Sequence, residues 1–126
     1  MNRQQNIEIS KEAFVSRMRA RTKDFALMGI EIFRGLPQTG EGRIIGDQFL
    51  RSSLSAAANY RAVCRARSKA EFFAKLSVTV EELDESLFWL EILVDSGIVV
   101  KSKTAKFEAE GQELVAILST ARRATR

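Results

Sequence analysis

Residues 50–68 read LRSSLSAAANYRAVCRARS. The stretch holds neither Gly nor Pro, so nothing in it interrupts a helix. Its middle is nonetheless small and polar, and its end is crowded with arginine. Side chains of methyl and hydroxymethyl size let a neighbouring helix approach closely, and Ser and Asn can hydrogen-bond across the gap. The stretch therefore reads as a tight seam between helices or between subunits. Its seam residues are Gln48, Arg51, Ser52, Ser55, Asn59 and Tyr60. Gln48 and Asn59 are expected to satisfy buried partners, and Arg51 and Arg61 to reach an acidic neighbouring helix with planar guanidinium forks.

On either side, the apolar spacing predicts three more helices. Ser10 reads as an N-cap, and Phe14, Met18, Phe25, Met28 and Ile32 follow at helical intervals until Gly35-Leu36-Pro37 stops the run. The first helix is thus expected over 10–35. The second is expected over 43–67, with Ile45, Phe49, Ala56, Tyr60 and Val63 as its apolar stripe. Ser68 with Glu71 forms a capping-box pattern, opening a third helix over 69–96. Its seam is Phe72, Leu76, Val80, Leu83, Leu87, Leu90 and Val94, and Gly97 closes it. The β-branched run Ile98-Val99-Val100 has no partner strand and reads as a connector. Thr104 is then expected to cap a fourth helix over 104–124, carrying Phe107, Gly111, Leu114, Leu118 and Ala121 on one face. Short connections join antiparallel neighbours. The expected fold is all-α, a single up-down-up-down four-helix bundle.

Composition narrows the function. The 126 residues include one Cys, so no intramolecular disulfide forms. No run of about 18 apolar residues predicts a membrane span, and the polar MNRQQNIEISKEAF lacks a signal-peptide core. A cytoplasmic location and no membrane partner are the expectation. The chain holds no His, which removes the commonest general base, the Ser-His and Cys-His pairs, and the usual di-iron site of such bundles. Glu81 and Glu85 share a helix face, but a solvated or arginine-paired face explains them more simply than a metal. Cys64 lies among Arg61, Arg65 and Arg67, and neighbouring cations lower a thiol's pKa; a lone thiol without a base still reads as structural. GEGR at 40–43 is too short for a phosphate loop. No catalytic residue, metal or cofactor is expected.

The net charge of +4 is unevenly spread. Residues 68–97 carry two basic against seven acidic side chains, and every other segment leans basic. Helices of opposite sign lying side by side account for this. The functional reading is a cationic surface for RNA or DNA built from Arg17, Arg19, Arg21, Lys23, Arg61, Arg65 and Arg67, with phosphate contacts giving affinity without sequence choice. Arg17 and Arg21 share one flank of the first helix, Arg19 and Lys23 another. Few aromatic residues are on hand to stack bases, which argues against dedicated single-strand readout.

Residues 48–98 resemble a known family. The pattern Gln-x-x-Arg-Ser-x-x-Ser-x-x-Ala-Asn-Tyr-Arg falls on Gln48, Arg51, Ser52, Ser55, Ala58, Asn59, Tyr60 and Arg61. Ala66-Arg67-Ser68-Lys69, Glu71-Phe72, Lys75-Leu76, Glu82, Asp84, Glu85 and Trp89-Leu90-Glu91 continue it. This is similar to the bacterial four-helix-bundle proteins encoded by intervening sequences of large-subunit ribosomal RNA genes, relatives of the retroelement accessory variability determinant. Ala62 departs from the pattern, which often has Glu after Asn-Tyr-Arg. The resemblance implies a homopentameric ring without established enzymatic activity. Through the retroelement relative it also implies contact with nucleic acid or with a reverse-transcriptase-like protein. The rival expectation is a protein-interaction scaffold whose arginines are engaged between subunits.

Overall fold

Chain reversals fall where the sequence carries its punctuation. The computed structural model describes residues 2–125, and of residues 7–9 the backbone alone. Four helices follow one another: α1 (Arg3–Arg34), α2 (Gly40–Cys64), α3 (Lys69–Asp95) and α4 (Ala105–Ala124), with one 3-10 turn at Lys101–Lys103 before the last. No strand occurs among the described residues. Each helix packs on the next and α4 closes back on α1, giving the four-helix bundle; α2 against α3 is the most extensive contact. None of these helices is long and apolar enough to cross a membrane.

Helix boundaries differ from expectation for local reasons, and α2 also starts early, at Gly40. The first helix begins at Arg3, because Asn2 and Gln5 form a reciprocal capping box: Gln5 N–H donates to Asn2 Oδ1 at 2.9 Å and Asn2 N–H to Gln5 Oε1 at 3.1 Å. Ser10 lies inside the helix and caps nothing. The second helix ends at Cys64, since Ser68 must be extended to cap α3 and residues 65–67 make the turn. Ser68 Oγ accepts the Glu71 N–H at 3.0 Å, while the Glu71 carboxylate turns to Arg67 Nε, 3.7 Å away. Thr104 stands at the start of α4, yet its hydroxyl donates to the Lys101 carbonyl and caps no N–H. At the end of α3, Gly97 takes φ +80°. That left-handed step lets the Gly97 and Ile98 N–H groups return to Val94 and Leu93 carbonyls.

The core runs the length of the bundle. Phe25 stacks on Phe107 with ring centroids 4.0 Å apart, and Phe49 meets the same ring at 5.0 Å, so one cluster joins α1, α2 and α4. Phe49, Ala56, Tyr60 and Val63 line the buried face of α2 as predicted. On α3 the buried line is Leu76, Thr79, Leu83, Ser86, Leu90 and Leu93. It is turned from the expected seam, leaving Phe72, Val80, Leu87 and Val94 half-buried.

The small residues are the seam. Ser52, Ser53, Ala56, Thr79 and Ser86 have no exposed surface. Ser53 faces α1, where a Cβ added to Gly29 would come within 3.0 Å of the Ser53 Cβ. Each buried hydroxyl is satisfied inside its own helix: Ser52 donates to Gln48 and Phe49 carbonyls, Ser53 to Phe49, Thr79 to Lys75 and Ser86 to Leu83. Asn59 likewise turns to the Ser55 carbonyl and hydroxyl of its own helix, and Gln48 is exposed, accepting from Arg51 Nε. Of the two residues expected to satisfy buried partners, Asn59 does so within its own helix, whereas Gln48 lies at the surface. Overpacking such a contact costs about 1–3 kcal/mol. Ser53→Leu is expected to lower the melting temperature by about 5–10 °C; an unshifted thermal transition would show that the α1–α2 contact yields freely.

Candidate nucleic-acid interface

The seven candidate cations do not form one patch. Arg21 leaves the set, because its Nε and Nη2 donate to the two carboxylate oxygens of Glu110 at 3.0 and 2.6 Å, and Nη2 lies 3.1 Å from Glu113. This bidentate pair ties α1 to α4, and the hydrogen bonds to Glu110 hold the guanidinium's pKa above its ordinary value. Arg67 is 88% exposed, with Glu71 on the edge of its reach. Arg17, Arg19, Lys23, Arg61 and Arg65 are exposed and make no ion pair among the described residues.

Arg19 and Arg65 come together around Cys64. Arg61 sits one helical turn before Arg65, and Lys23 one turn after Arg19, so these four share the α1–α2 surface. Arg17 keeps to the flank of Arg21. The sequence expectation that cations depress the Cys64 thiol is reversed in the folded chain. Burial pushes its pKa up, and the opposing pull of Arg19 and Arg65 is the smaller effect. Tyr60, almost fully covered, has its hydroxyl pKa raised for the same reason.

Arg51 is the seam arginine that reaches α3. Its guanidinium bonds Glu82 at 3.1 Å and also Glu85, and Glu85 in turn accepts the Trp89 indole N–H at 3.1 Å. Arg61, expected to do the same, stays in solvent. The carboxylates Glu81, Asp84, Glu91 and Asp95 remain exposed on the outer face of α3. One side of the bundle is thus cationic and another anionic.

Sequence reading named Arg67 but passed over the two lysines that it meets. Lys11, Arg67 and Lys69 converge at the end of the bundle where α1, the α2–α3 turn and the last turn of α4 meet. No spacing rule links residues so far apart along the chain.

This arrangement of helices agrees with what the chain matches. The sequence pattern of the 23S rRNA-intervening sequence proteins covers residues 16–120. The chain belongs to that family. Its fold is also similar to the crystal structure of a protein of unknown function from the S23 ribosomal protein family of Bacteroides thetaiotaomicron. The two are 24% identical, the match spans 83% of this chain and 97% of that one, and the TM-score is 0.78. At that identity the likeness establishes the fold alone. No curated protein matches the chain.

Two outcomes check the site's chemistry. At pH 8 Cys64 is expected to react with iodoacetamide severalfold more slowly in the folded chain than after denaturation, since raised pKa and burial both remove thiolate; equal rates would place the thiol in solvent. Arg21→Gln is expected to cost about 1–2 kcal/mol in denaturant unfolding while leaving any affinity for nucleic acid unchanged. Lost affinity without lost stability would return Arg21 to the interface.

Proposed function

We propose that this member of the intervening-sequence family is a non-enzymatic homo-oligomer, a pentameric ring, whose cationic α1–α2 surface binds RNA or DNA by its phosphates. The observation that carries the reading is the separation of charge. Arg19, Lys23, Arg61 and Arg65 lie on one side without an ion pair among the described residues, and Glu81, Asp84, Glu91 and Asp95 on another. A heterologous contact between copies that leaves these cations in solvent closes into a ring when the rotation allows. The exposed Leu27, Ile44, Leu54, Val78 and Phe88, spread over three helices, supply apolar area for burial in those contacts. Repetition around a ring multiplies a modest patch into a field that draws a polyanion. The subunit number follows the family resemblance.

The scaffold reading has its own support. Arg21 and Arg51 are already engaged with carboxylates, leaving fewer free cations than the sequence offers. On that reading the same ring engages another protein, a reverse-transcriptase-like partner among the possibilities the resemblance implies.

Light scattering is expected to give about 70 kDa, five copies of a 14.1 kDa chain. Titration with labelled RNA should then lose at least about tenfold in affinity between 50 and 200 mM salt. Combining Arg19→Gln, Arg61→Gln and Arg65→Gln should weaken binding to every sequence alike with the mass unchanged. A triple variant that falls apart into single chains supports the scaffold. An absence of RNA and DNA binding at low salt removes the nucleic-acid reading.

A further inference from the structure

We infer that the cleft at the α2–α3 end of the bundle holds one nucleotide of a single-stranded RNA or DNA, its base against Phe72 and Phe73 and its phosphate among lysine and arginine. The inference rests on the nucleic-acid reading above and names the form of strand recognised and the place.

The cleft is a groove open to solvent with a volume of about 810 Å³, inside the range of roughly 300–1,000 Å³ typical of small-ligand sites. Lys11, Arg67 and Lys69 line it, and among the described residues no carboxylate does. Glu71, in the same turn, stands outside the lining and near Arg67. The cations come from α1, from the α2–α3 turn and from the start of α3, so the positive charge is converged by tertiary packing and does not follow from one basic run.

The two phenylalanines set this cleft apart from a plain basic surface. Lys11 Nζ sits 5.6 Å from the centroid of Phe72, and the Arg122 guanidinium carbon 5.9 Å from that of Phe73. A ring face open to a cation is open to a flat base, and base–aromatic stacking is tolerant of which base it is. Lys11 is exposed, so its ammonium can turn from the ring to a phosphate. Arg122 stands outside the lining, half-buried, and its buried Nε has no hydrogen-bond partner among the described residues. The positive end of α3 adds to the field at Ser68 and Lys69 without carrying it. A low count of aromatic residues had argued against single-strand binding; two rings gathered in one cationic cleft reverse that argument. A duplex keeps its bases stacked on one another and cannot present one to Phe73, so the cleft selects single strands, whereas the α1–α2 arginines meet either form.

The test is fluorescence anisotropy of the full chain with labelled ten-nucleotide oligo-U and oligo-dT and a ten-base-pair duplex, at low salt. Expected are a preference for single strands of about tenfold, a further drop of about tenfold in the Arg67→Gln/Lys69→Gln variant, and a drop of about fivefold or more in Phe73→Leu. The duplex affinity should hardly move in either. Circular dichroism checks folding; should Phe73→Leu melt early, the fully surface-borne Lys69→Gln carries the comparison alone. Binding of either strand chemistry that falls in these variants supports the cleft. Single-strand affinity untouched by them, yet abolished by the Arg19, Arg61 and Arg65 substitutions, overturns the cleft and leaves the broader reading standing. No binding of strand or duplex by the unaltered chain removes both.

Discussion

The bundle depends on hiding hydroxyl groups without leaving them unsatisfied. A buried hydroxyl with no partner costs on the order of 1–3 kcal/mol, and Ser52, Ser53, Thr79 and Ser86 are all sealed from solvent. Each meets the requirement by donating to a carbonyl in the preceding turn of its own helix. The outer surface of each hydroxymethyl group is then effectively apolar, and α1, α2 and α3 can approach over it. Larger side chains would push the helices apart and pull Phe25, Phe49 and Phe107 out of register with one another.

Specific attachment between helices is left to a few long polar side chains. Arg21 fastens α1 to α4 through Glu110 and Glu113, and Arg51 fastens α2 to α3 through Glu82 and Glu85. These arginines divide the positive charge of the chain into two duties. Some cations hold the fold, and others, Arg19, Lys23, Arg61 and Arg65 among them, remain in solvent. The function proposed for this family member draws on the second group, and a count of arginines along the sequence does not separate the two.

Much of the fold was legible because helix punctuation is local. Gly35-Leu36-Pro37, Ser68 and Gly97 each act within a few residues, and the helices they delimit stand close to where the periodicity puts them. Ser10 misled because a good capping residue is also tolerated inside a helix when nothing upstream breaks it, and Asn2 with Gln5 made the better cap. Thr79 and Ser86 were invisible as core because a hydroxyl reads as polar until its own helix is seen to absorb it. The family resemblance pointed to Ser52, Ser55 and Tyr60 but left out Ser53, which is sealed from solvent and faces Gly29 of α1. Site residues fared worse. Arg21 looked free because Glu110 is remote in sequence, and Lys11, Phe72 and Phe73 meet through tertiary packing that no spacing rule encodes.

The inward-bonded serines carry one more consequence. Since Ser52, Thr79 and Ser86 each donate within their own helix, their hydroxyls bond nothing across the α2–α3 contact, and the directional tie between these helices comes from elsewhere. That tie sits at the rim, in one guanidinium gripping two carboxylates. Arg51 thereby adds a directional tie to the register that the packed side chains set, and so to the height at which the arginine-rich end of α2 is presented.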